Sequence, residues 1–214
     1  MDTTLFDRLQ TIGVVPVVVL ADAADAVPCA DALLNGGLAT AEITFRTPAA
    51  AEAIRRIAAE RPQLLVGAGT VLTPETAAQA KAAGARYVVS PGLNPRVVDW
   101  CLSHELPVIP GVATPTEVEA AMAMGLEHLK LFPAGVLGGP ALLRALAAPY
   151  AAVRFMATGG IGPDDLPAYF ACPNLFAVGG GWLTGSGRIA ARDWPAITAA
   201  AADAAHRVQT IRTH

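Results

Sequence analysis

Short apolar runs alternate with alanine-rich segments of helical period along the whole chain of 214 residues. The apolar runs lack the regular polar alternation of a half-exposed strand, which is typical of strands buried on both faces. Several of the intervening segments begin at proline, a residue that helices favour in their first turn. The predicted strands are Val14–Leu20, Ala39–Thr44, Leu64–Ala68, Tyr87–Ser90, Pro107–Ile109, His128–Phe132, Val153–Ala157 and Leu175–Val178, and the predicted helices are Thr4–Thr11, Asp22–Gly36, Pro48–Glu60, Pro74–Gly84, Pro95–His104, Pro115–Gly125, Gly139–Ala147, Pro163–Phe170 and Trp194–Val208.

Eight buried strands that alternate with helices predict the α/β class, with parallel strands covered by helices. The count of eight favours a closed (β/α)8 TIM barrel over an open, doubly wound sheet. The helix at Thr4–Thr11 precedes the first strand and is extra to the barrel, with Leu5, Phe6 and Leu9 on one face. No composition shift marks a linker, so residues 1–214 are expected to form one domain, within the ~200–250 residues usual for such barrels.

Composition narrows the class of protein. Apolar residues make up 53% of the chain and charged residues 15%, which supports a large core. The net charge is −3 and no basic run is present, which argues against nucleic acid as the main partner. No apolar run approaches the ~20 residues that span a bilayer, and the N-terminus lacks the basic start of a signal peptide, so no membrane partner is expected.

Cysteine and histidine spacing bears on compartment and metal binding. Cys29, Cys101 and Cys172 are odd in number and far apart, which favours reduced core residues of a cytoplasmic protein over a disulfide framework. No His/Cys cluster has the spacing of metal ligands, although a site assembled in three dimensions stays open.

Lys130, one of only two lysines in the chain, lies inside the apolar sixth predicted strand. A lysine in such a strand is costly unless it is used, and desolvation favours a neutral amine that can attack a ketone and form a Schiff base. The alternative is a structural lysine that extends to the surface and pairs with Glu127. The sequence leaves both interpretations open.

Glu42 lies near the end of the second predicted strand, and Arg46 lies in the loop that follows it. At a spacing of four they could form an ion pair on a helix surface. The β-branched and aromatic residues between them disfavour a helix, so a strand end is preferred. Because barrel chemistry lies at the carboxyl ends of the strands, Glu42 is then a candidate proton shuttle and Arg46 a candidate carboxylate clamp.

Glycine stretches follow the seventh and eighth predicted strands, at Gly159-Gly160 and at Gly179-Gly180-Gly181. Glycine pairs usually mean tight turns. These two positions are also where barrels often bind phosphate through bare backbone N–H groups, so an anion site is an alternative.

Assembled in order, these segments resemble the bacterial 2-keto-3-deoxy-6-phosphogluconate (KDPG) and 4-hydroxy-2-oxoglutarate (KHG) aldolase family. The resemblance spans nearly the whole chain. The matching segments are Val14-Val-Pro-Val17, Glu42-Ile-Thr-Phe-Arg-Thr47, Gly67-Ala-Gly-Thr-Val-Leu72, Ser90-Pro-Gly92, Ile109-Pro-Gly-Val112, Lys130-Leu-Phe-Pro-Ala134, Gly138-Gly139, Thr158-Gly-Gly-Ile161 and Gly180-Gly-Trp-Leu183.

The resemblance implies a class I pyruvate aldolase that uses neither a cofactor nor a metal, with pyruvate and a 2-keto-3-deoxy sugar acid as its small molecules, in a cytoplasmic homotrimer. Lys130 would form the Schiff base and Glu42 would be the general acid/base. Further residues would contact the substrate. Arg46 and Thr70 match residues that hold the carboxylate, Phe132 and Pro91 would border the imine, and Thr158, Gly159, Gly160, Gly180 and Gly181 match the region that receives the distal hydroxyls and phosphate.

The chain departs from the family pattern at two positions. Gly181 stands where relatives usually carry a serine that binds phosphate, and Gly135 replaces a frequent glutamate. The leading hypothesis is therefore cleavage of KDPG, with an unphosphorylated substrate such as KHG as the alternative. A phosphate-binding barrel isomerase and a catalytically silent ligand-binding barrel are hypotheses of other classes.

Overall fold

The computed structural model describes residues 3–213. Parallel strands alternate with helices throughout this range. The strands are β1 Val14–Val18, β2 Thr40–Thr44, β3 Leu65–Gly69, β4 Val88–Val89, β5 Val108–Ile109, β6 Gly111–Val112, β7 His128–Leu131, β8 Arg154–Thr158 and β9 Leu175–Gly180, and the helices are α1 Thr3–Ile12, α2 Ala26–Asn35, α3 Ala50–Glu60, α4 Pro74–Ala82, α5 Pro95–Ser103, α6 Pro115–Ala123, α7 Pro140–Ala147, α8 Leu166–Phe170, α9 Ser186–Ala190 and α10 Trp194–Thr213.

The strands form a closed (β/α)8 barrel, which confirms the predicted fold class. Their order is β5-β4-β3-β2-β1-β9-β8-β7-β6. The two ends of this order, β5 and β6, are separated in the chain only by Pro110, so they are two halves of one barrel strand. The carbonyl of Pro110 accepts a hydrogen bond of 2.8 Å from the Lys130 amide and so joins this strand to β7. The interruption falls at proline because its nitrogen has no hydrogen to donate to a neighbouring strand.

Helix α1 closes the N-terminal end of the barrel. Leu5, Phe6 and Leu9 are buried against a separate apolar cluster inside the barrel, as their predicted common face requires. Phe6 also stacks on the ring of His128, with centroids 3.8 Å apart. The extra helix therefore supplies the apolar floor of the barrel, and the opposite end remains for chemistry.

Three of the helices begin at a capped proline. Thr73, Asn94 and Thr114 each accept a hydrogen bond from a backbone N–H of the first turn, and each precedes a proline at the first helical position. Proline lacks the N–H that such a position would leave unpaired, so the two features start a helix together. They fix where each helix leaves the loop at the mouth of the barrel.

The observed helices differ from the predicted ones in several places. The helix predicted over Pro163–Phe170 is a 3-10 turn at Pro163–Asp165 followed by α8. The segment predicted as one helix from Asp22 begins as a 3-10 turn at Ala23–Asp25 and becomes α2 only at Ala26. Helix α10 continues to Thr213, five residues beyond its predicted end at Val208. The sequence did not predict the short helix α9 after the last strand.

Two other properties of the described chain bear on the sequence-based expectations. All three cysteines are free and buried. Among the helices of residues 3–213, none combines the length and the apolar character that crossing a bilayer requires.

Because His128 is partly buried beneath α1, we expect it to contribute to the loss of folding stability in acid. Burial lowers its pKa below the ordinary value, with a smaller lowering from Arg154 and opposing effects of Glu127 and Asp7. In acid, the unfolded chain therefore binds a proton at His128 more readily than the folded chain does. The contribution of the neutral His128 to the unfolding free energy is present above pH ~6.5 and is lost as the pH falls below that value. We expect His128→Phe, which keeps an aromatic ring against Phe6, to reduce the loss of unfolding free energy between pH 7 and pH 5.

Urea unfolding at the two pH values checks this expectation. His206→Gln changes an exposed histidine on α10 and serves as the control, because it should leave the pH dependence as it is. Equal pH dependence in His128→Phe and the parent protein would contradict the assignment.

Candidate active site

Lys130 and Glu42 meet at the centre of the barrel mouth. Lys130 lies on β7 and Glu42 on β2, and three strands separate β7 from β2 in either direction around the barrel. The Lys130 Nζ lies 3.6 Å from Glu42 Oε1, with the two side chains only 6% and 1% exposed. The sequence placed these groups on separate strand ends, and the closed barrel brings them together.

The alternation of side chains along β7 places Lys130 on the face towards the barrel interior. Its neighbours Leu129 and Leu131 are fully buried in the cluster between the strands and the outer helices, so Lys130 faces the interior. Its Nζ atom lies 5.2 Å from the centroid of the Phe132 ring. The alternative in which this lysine reaches the surface and pairs with Glu127 is wrong, because its charged partner is Glu42.

The Glu42 carboxylate is held by packing. Within residues 3–213, no group donates a hydrogen bond to its Oε2 atom, which is fully buried. A Cβ at Gly69, on the adjacent strand β3, would overlap the carboxylate. A buried carboxylate oxygen without a donor is uncommon, and it leaves an acceptor for a substrate hydroxyl or a water molecule.

Arg46 and Thr70 come together at the rim of the mouth. The Arg46 Nε donates to Thr70 Oγ1 over 3.4 Å. Thr70 has a left-handed backbone (φ 58°), a strained conformation for a β-branched residue. Such strain recurs at ligand sites. The exposed guanidinium retains donors for a carboxylate.

A cavity of about 360 Å³ lies at this end of the barrel. Six of the predicted substrate residues line it, namely Arg46, Phe132, Thr158, Gly159, Gly160 and Gly181. Five further residues line it: Gly179, which the sequence analysis named only within a glycine stretch, and Val17, Ile161, Gly162 and Trp182, to which it assigned no role.

The glycines at the strand ends have different structural uses. Gly159 and Gly160 both have positive φ (99° and 69°) and form the turn after β8. Gly179 faces the interior, where a Cβ would overlap the Thr158 hydroxyl, whose oxygen is buried without a partner in the described chain. Gly180 points the other way, towards Trp182 and Leu183, so Gly179 takes the place in the cavity lining that was predicted for Gly180.

Pro91 lies beside the lysine strand. A Cβ at Gly111 would overlap the Pro91 carbonyl, and Gly111 is the partner of Lys130 in the β6–β7 register. The Pro91 backbone therefore lies one strand away from Lys130, although Pro91 is not among the residues that line the cavity.

A larger cavity of about 730 Å³ opens at the opposite end of the barrel, beside α1. Its polar residues Lys81, Arg86 and Glu105 are exposed, and it contains none of the predicted site residues. Among the described residues, no three His, Cys, Asp or Glu side chains come close enough to hold a metal ion together.

A buried amine beside a buried carboxylate, at the mouth of a (β/α)8 barrel, is the arrangement of a Schiff-base lyase. The family model described as KDPG and KHG aldolase matches residues 5–200. This chain belongs to the KDPG and KHG aldolase family, so the predicted membership and the predicted class of carbon–carbon lyase are confirmed.

Named relatives and solved structures agree with this membership. The 2-dehydro-3-deoxy-phosphogluconate aldolase of Treponema pallidum is 53% identical over 92% of this chain and 93% of its own length. The KHG/KDPG aldolase of Escherichia coli K12 is 42% identical over 92% of each chain. The KDPG aldolase of Legionella pneumophila, solved with pyruvate captured as a covalent carbinolamine, has a TM-score of 0.90 and 36% identity, covering 94% of this chain and 98% of that one. The aldolase of Zymomonas mobilis ZM4, solved with 3-phosphoglycerate, has a TM-score of 0.87 and 40% identity over 94% of each chain.

Proposed function

We propose that this chain, acting as one domain over residues 1–214, cleaves KDPG to pyruvate and glyceraldehyde 3-phosphate. The observation that carries the proposal is the 3.6 Å approach of the Lys130 Nζ to Glu42 Oε1, both buried at the barrel mouth. A neutral amine in this position can attack a ketone, and a carboxylate beside it can move the protons that the reaction requires.

The reaction proceeds through an imine on Lys130. The amine adds to the C2 carbonyl of the substrate, and loss of water gives a protonated imine. Glu42 takes the proton of the C4 hydroxyl, directly or through water, as the C3–C4 bond breaks. The bonding electrons move into the imine, which leaves an enamine and releases the aldehyde. Glu42 then returns the proton to the enamine at C3, and addition of water to the resulting imine releases pyruvate and restores the lysine.

The remaining predicted residues bind the two ends of the substrate. Arg46 and Thr70 hold the carboxylate, since the guanidinium and the hydroxyl share one edge of the mouth. Phe132 packs beside the imine, and Pro91 borders it. The far end of the substrate lies along Thr158 and the glycine turns, Gly159-Gly160 and Gly180-Gly181.

Cleavage of KDPG with release of pyruvate in the presence of a chelator tests this function. Steady release of pyruvate is the expected result. Binding of pyruvate without turnover would favour the silent barrel, and isomerisation without cleavage would favour the phosphate-binding isomerase.

A second substrate, KHG, is favoured by the composition of the cavity. Arg46 is the one cationic side chain among the residues that line it, and Gly181 offers no hydroxyl to a phosphate. A phosphate dianion is therefore met mainly by backbone N–H groups and neutral side chains. The ratio of kcat/KM for KDPG to kcat/KM for KHG decides between the two substrates.

Restoring a hydroxyl at position 181 should shift this ratio towards KDPG. A Cβ at Gly181 meets no atom within 4 Å, so a serine fits without displacing a neighbour. One added hydrogen bond is worth about 0.5–1.5 kcal/mol, so we expect Gly181→Ser to raise the KDPG/KHG ratio about 2- to 10-fold.

Gly185→Ser is the matched control. It adds the same side chain to the same loop, also in open space, at a residue outside the cavity lining. An unchanged ratio in Gly181→Ser, or an equal rise in Gly185→Ser, would contradict a phosphate position beside residue 181.

A homotrimer and a cytoplasmic location stay predictions that rest on the family resemblance. Light scattering on the purified protein measures the first, and cell fractionation measures the second.

A further inference from the structure

Two hydroxyl groups lie buried inside the barrel, in a region that is otherwise apolar. Tyr87 and Thr40 are both completely inaccessible to solvent. Tyr87 packs with the interior cluster that α1 closes, among Val15, Leu65 and Met156. Hydroxyls in such surroundings cost free energy unless they are hydrogen-bonded. The proposed reaction, as described above, uses neither of them.

The direction of their hydrogen bonds is fixed. The Thr40 hydroxyl donates to the Leu65 carbonyl over 2.8 Å. Its proton is therefore committed, so in the 3.1 Å contact between the two hydroxyls it is Tyr87 that donates to Thr40. Burial raises the pKa of the Tyr87 phenol; the hydrogen bond with Thr40 lowers it by less, and the nearby Glu42 carboxylate raises it, so the phenol stays protonated as this bond requires.

The Tyr87 ring lies directly against the strand that neighbours Glu42. A Cβ at Gly67 would overlap this ring, and Gly67 is the partner of Glu42 in the β2–β3 register. Thr40 precedes Glu42 by two residues on the same face of β2. The ring and its hydroxyl partner therefore occupy the layer of the barrel immediately below the Glu42 carboxylate.

This layer matters because Glu42 has little else to hold it. Its Oε2 atom has no hydrogen bond within residues 3–213, and its Oε1 atom is 3.6 Å from the Lys130 amine. A catalytic group without hydrogen bonds depends on its packed neighbours for orientation. Gly69 leaves space on one side of the carboxylate, and the tethered Tyr87 ring closes the space beneath it.

We propose that Tyr87, tethered by its hydrogen bond to Thr40, is a positioning residue that fixes the orientation of the Glu42 carboxylate for proton transfer at C3 of the lysine-bound pyruvate. The proposal rests on the proposed function, since it assigns Glu42 the proton and Lys130 the imine. Tyr87 itself touches neither the substrate nor the reacting atoms.

The test separates imine formation from proton transfer. Borohydride trapping with pyruvate reports the imine on Lys130, and exchange of the pyruvate methyl protons for deuterium, followed by NMR, reports proton transfer by Glu42. Tyr87→Phe keeps the ring in the space beside Gly67 and removes the tether. We expect exchange to slow about tenfold, the order of loss that a small misplacement of a catalytic group produces, with the trapping yield unchanged.

Two further variants distinguish positioning from mere stability. Tyr150→Phe removes a hydroxyl that bonds to Glu119 on the outer surface, and it should alter neither signal. The double variant Thr40→Val with Tyr87→Phe also removes the Thr40 donor to the Leu65 carbonyl, so its unfolding free energy should fall below that of Tyr87→Phe while exchange stays at the rate of Tyr87→Phe.

Each remaining outcome overturns the proposal. Unchanged exchange in Tyr87→Phe would show that the tether does not orient Glu42. A parallel fall of trapping and exchange, or recovery of exchange in the double variant, would reduce Tyr87 to a folding residue. If the parent protein fails to trap pyruvate at all, the proposed function fails first and the positioning role falls with it.

Discussion

Replacement of Lys130 by arginine is expected to abolish cleavage, lowering kcat by about 10⁴-fold or more. Arginine places a long basic side chain beside Glu42, but its guanidinium does not form an imine with a ketone. Only the covalent step is removed, while the ionic contact at the barrel mouth can persist. Mass spectrometry after borohydride reduction with pyruvate should find the parent protein labelled on Lys130 and the variant unlabelled.

The second lysine of the chain provides the control. Lys81, on α4, is exposed and donates to the backbone carbonyl of His104 at the far end of the barrel. Lys81→Arg should therefore retain full activity and full labelling. Because arginine is larger in a buried position, Lys130→Met with a thermal melting curve checks that loss of activity does not reflect unfolding. Labelling of Lys130→Arg at Lys81 would show that pyruvate reacts with any lysine and would remove the support for a specific imine.

The sequence predicted the strands well because their signal is local. Runs such as Val14 to Val18 are apolar on both faces, and this pattern belongs to the strand itself. The same holds for the helix starts, where proline follows a capping residue such as Thr114. From eight such units, the fold class and the edge of the barrel that carries the chemistry could be predicted.

The differences arise where a backbone position depends on distant contacts. Pro28 is compatible with α2 only in the first turn of the helix, which is the case because α2 begins at Ala26. The residues before Ala26 therefore form a 3-10 turn instead. Helix α10 extends beyond its apolar period because Arg212 packs on the Phe170 ring and donates to the backbone carbonyls of Gln10 and Thr11 in the last turn of α1. Neither contact can be predicted from a local pattern.

The interior glycines illustrate the same limit within the site. The sequence analysis took the glycine stretches at strand ends either as tight turns or as an anion site. In the barrel, Gly67 makes space for Tyr87, Gly69 for Glu42 and Gly179 for Thr158. Which side chain fills such a space depends on the register between neighbouring strands. This is also why the sequence named Gly180 for the site while the lining residue is Gly179.

Replacement of Glu42 by glutamine is expected to separate the two halves of the reaction. The amide is close to the carboxylate in size but cannot accept a proton, so kcat for cleavage and the exchange of pyruvate methyl protons should both fall by about 10²- to 10⁴-fold. Lys130 keeps its amine, so borohydride should still trap pyruvate on it, although more slowly. Single-turnover trapping and NMR exchange on the same preparation measure the two effects.

Glu127→Gln is the informative comparison for this variant. Glu127 stands three residues from Lys130 in the chain and was the alternative partner for that lysine, yet the barrel places Glu42 there instead. The Glu127→Gln variant should therefore cleave KDPG and exchange the pyruvate methyl protons at the parent rate. If Glu42→Gln exchanged pyruvate protons as fast as the parent, the base would have to be another group. In that case the buried Glu42 Oε2 atom, which has no hydrogen bond within residues 3–213, would have no role in proton transfer. Loss of exchange with retained trapping would instead identify the Glu42 carboxylate as the acceptor of the proton.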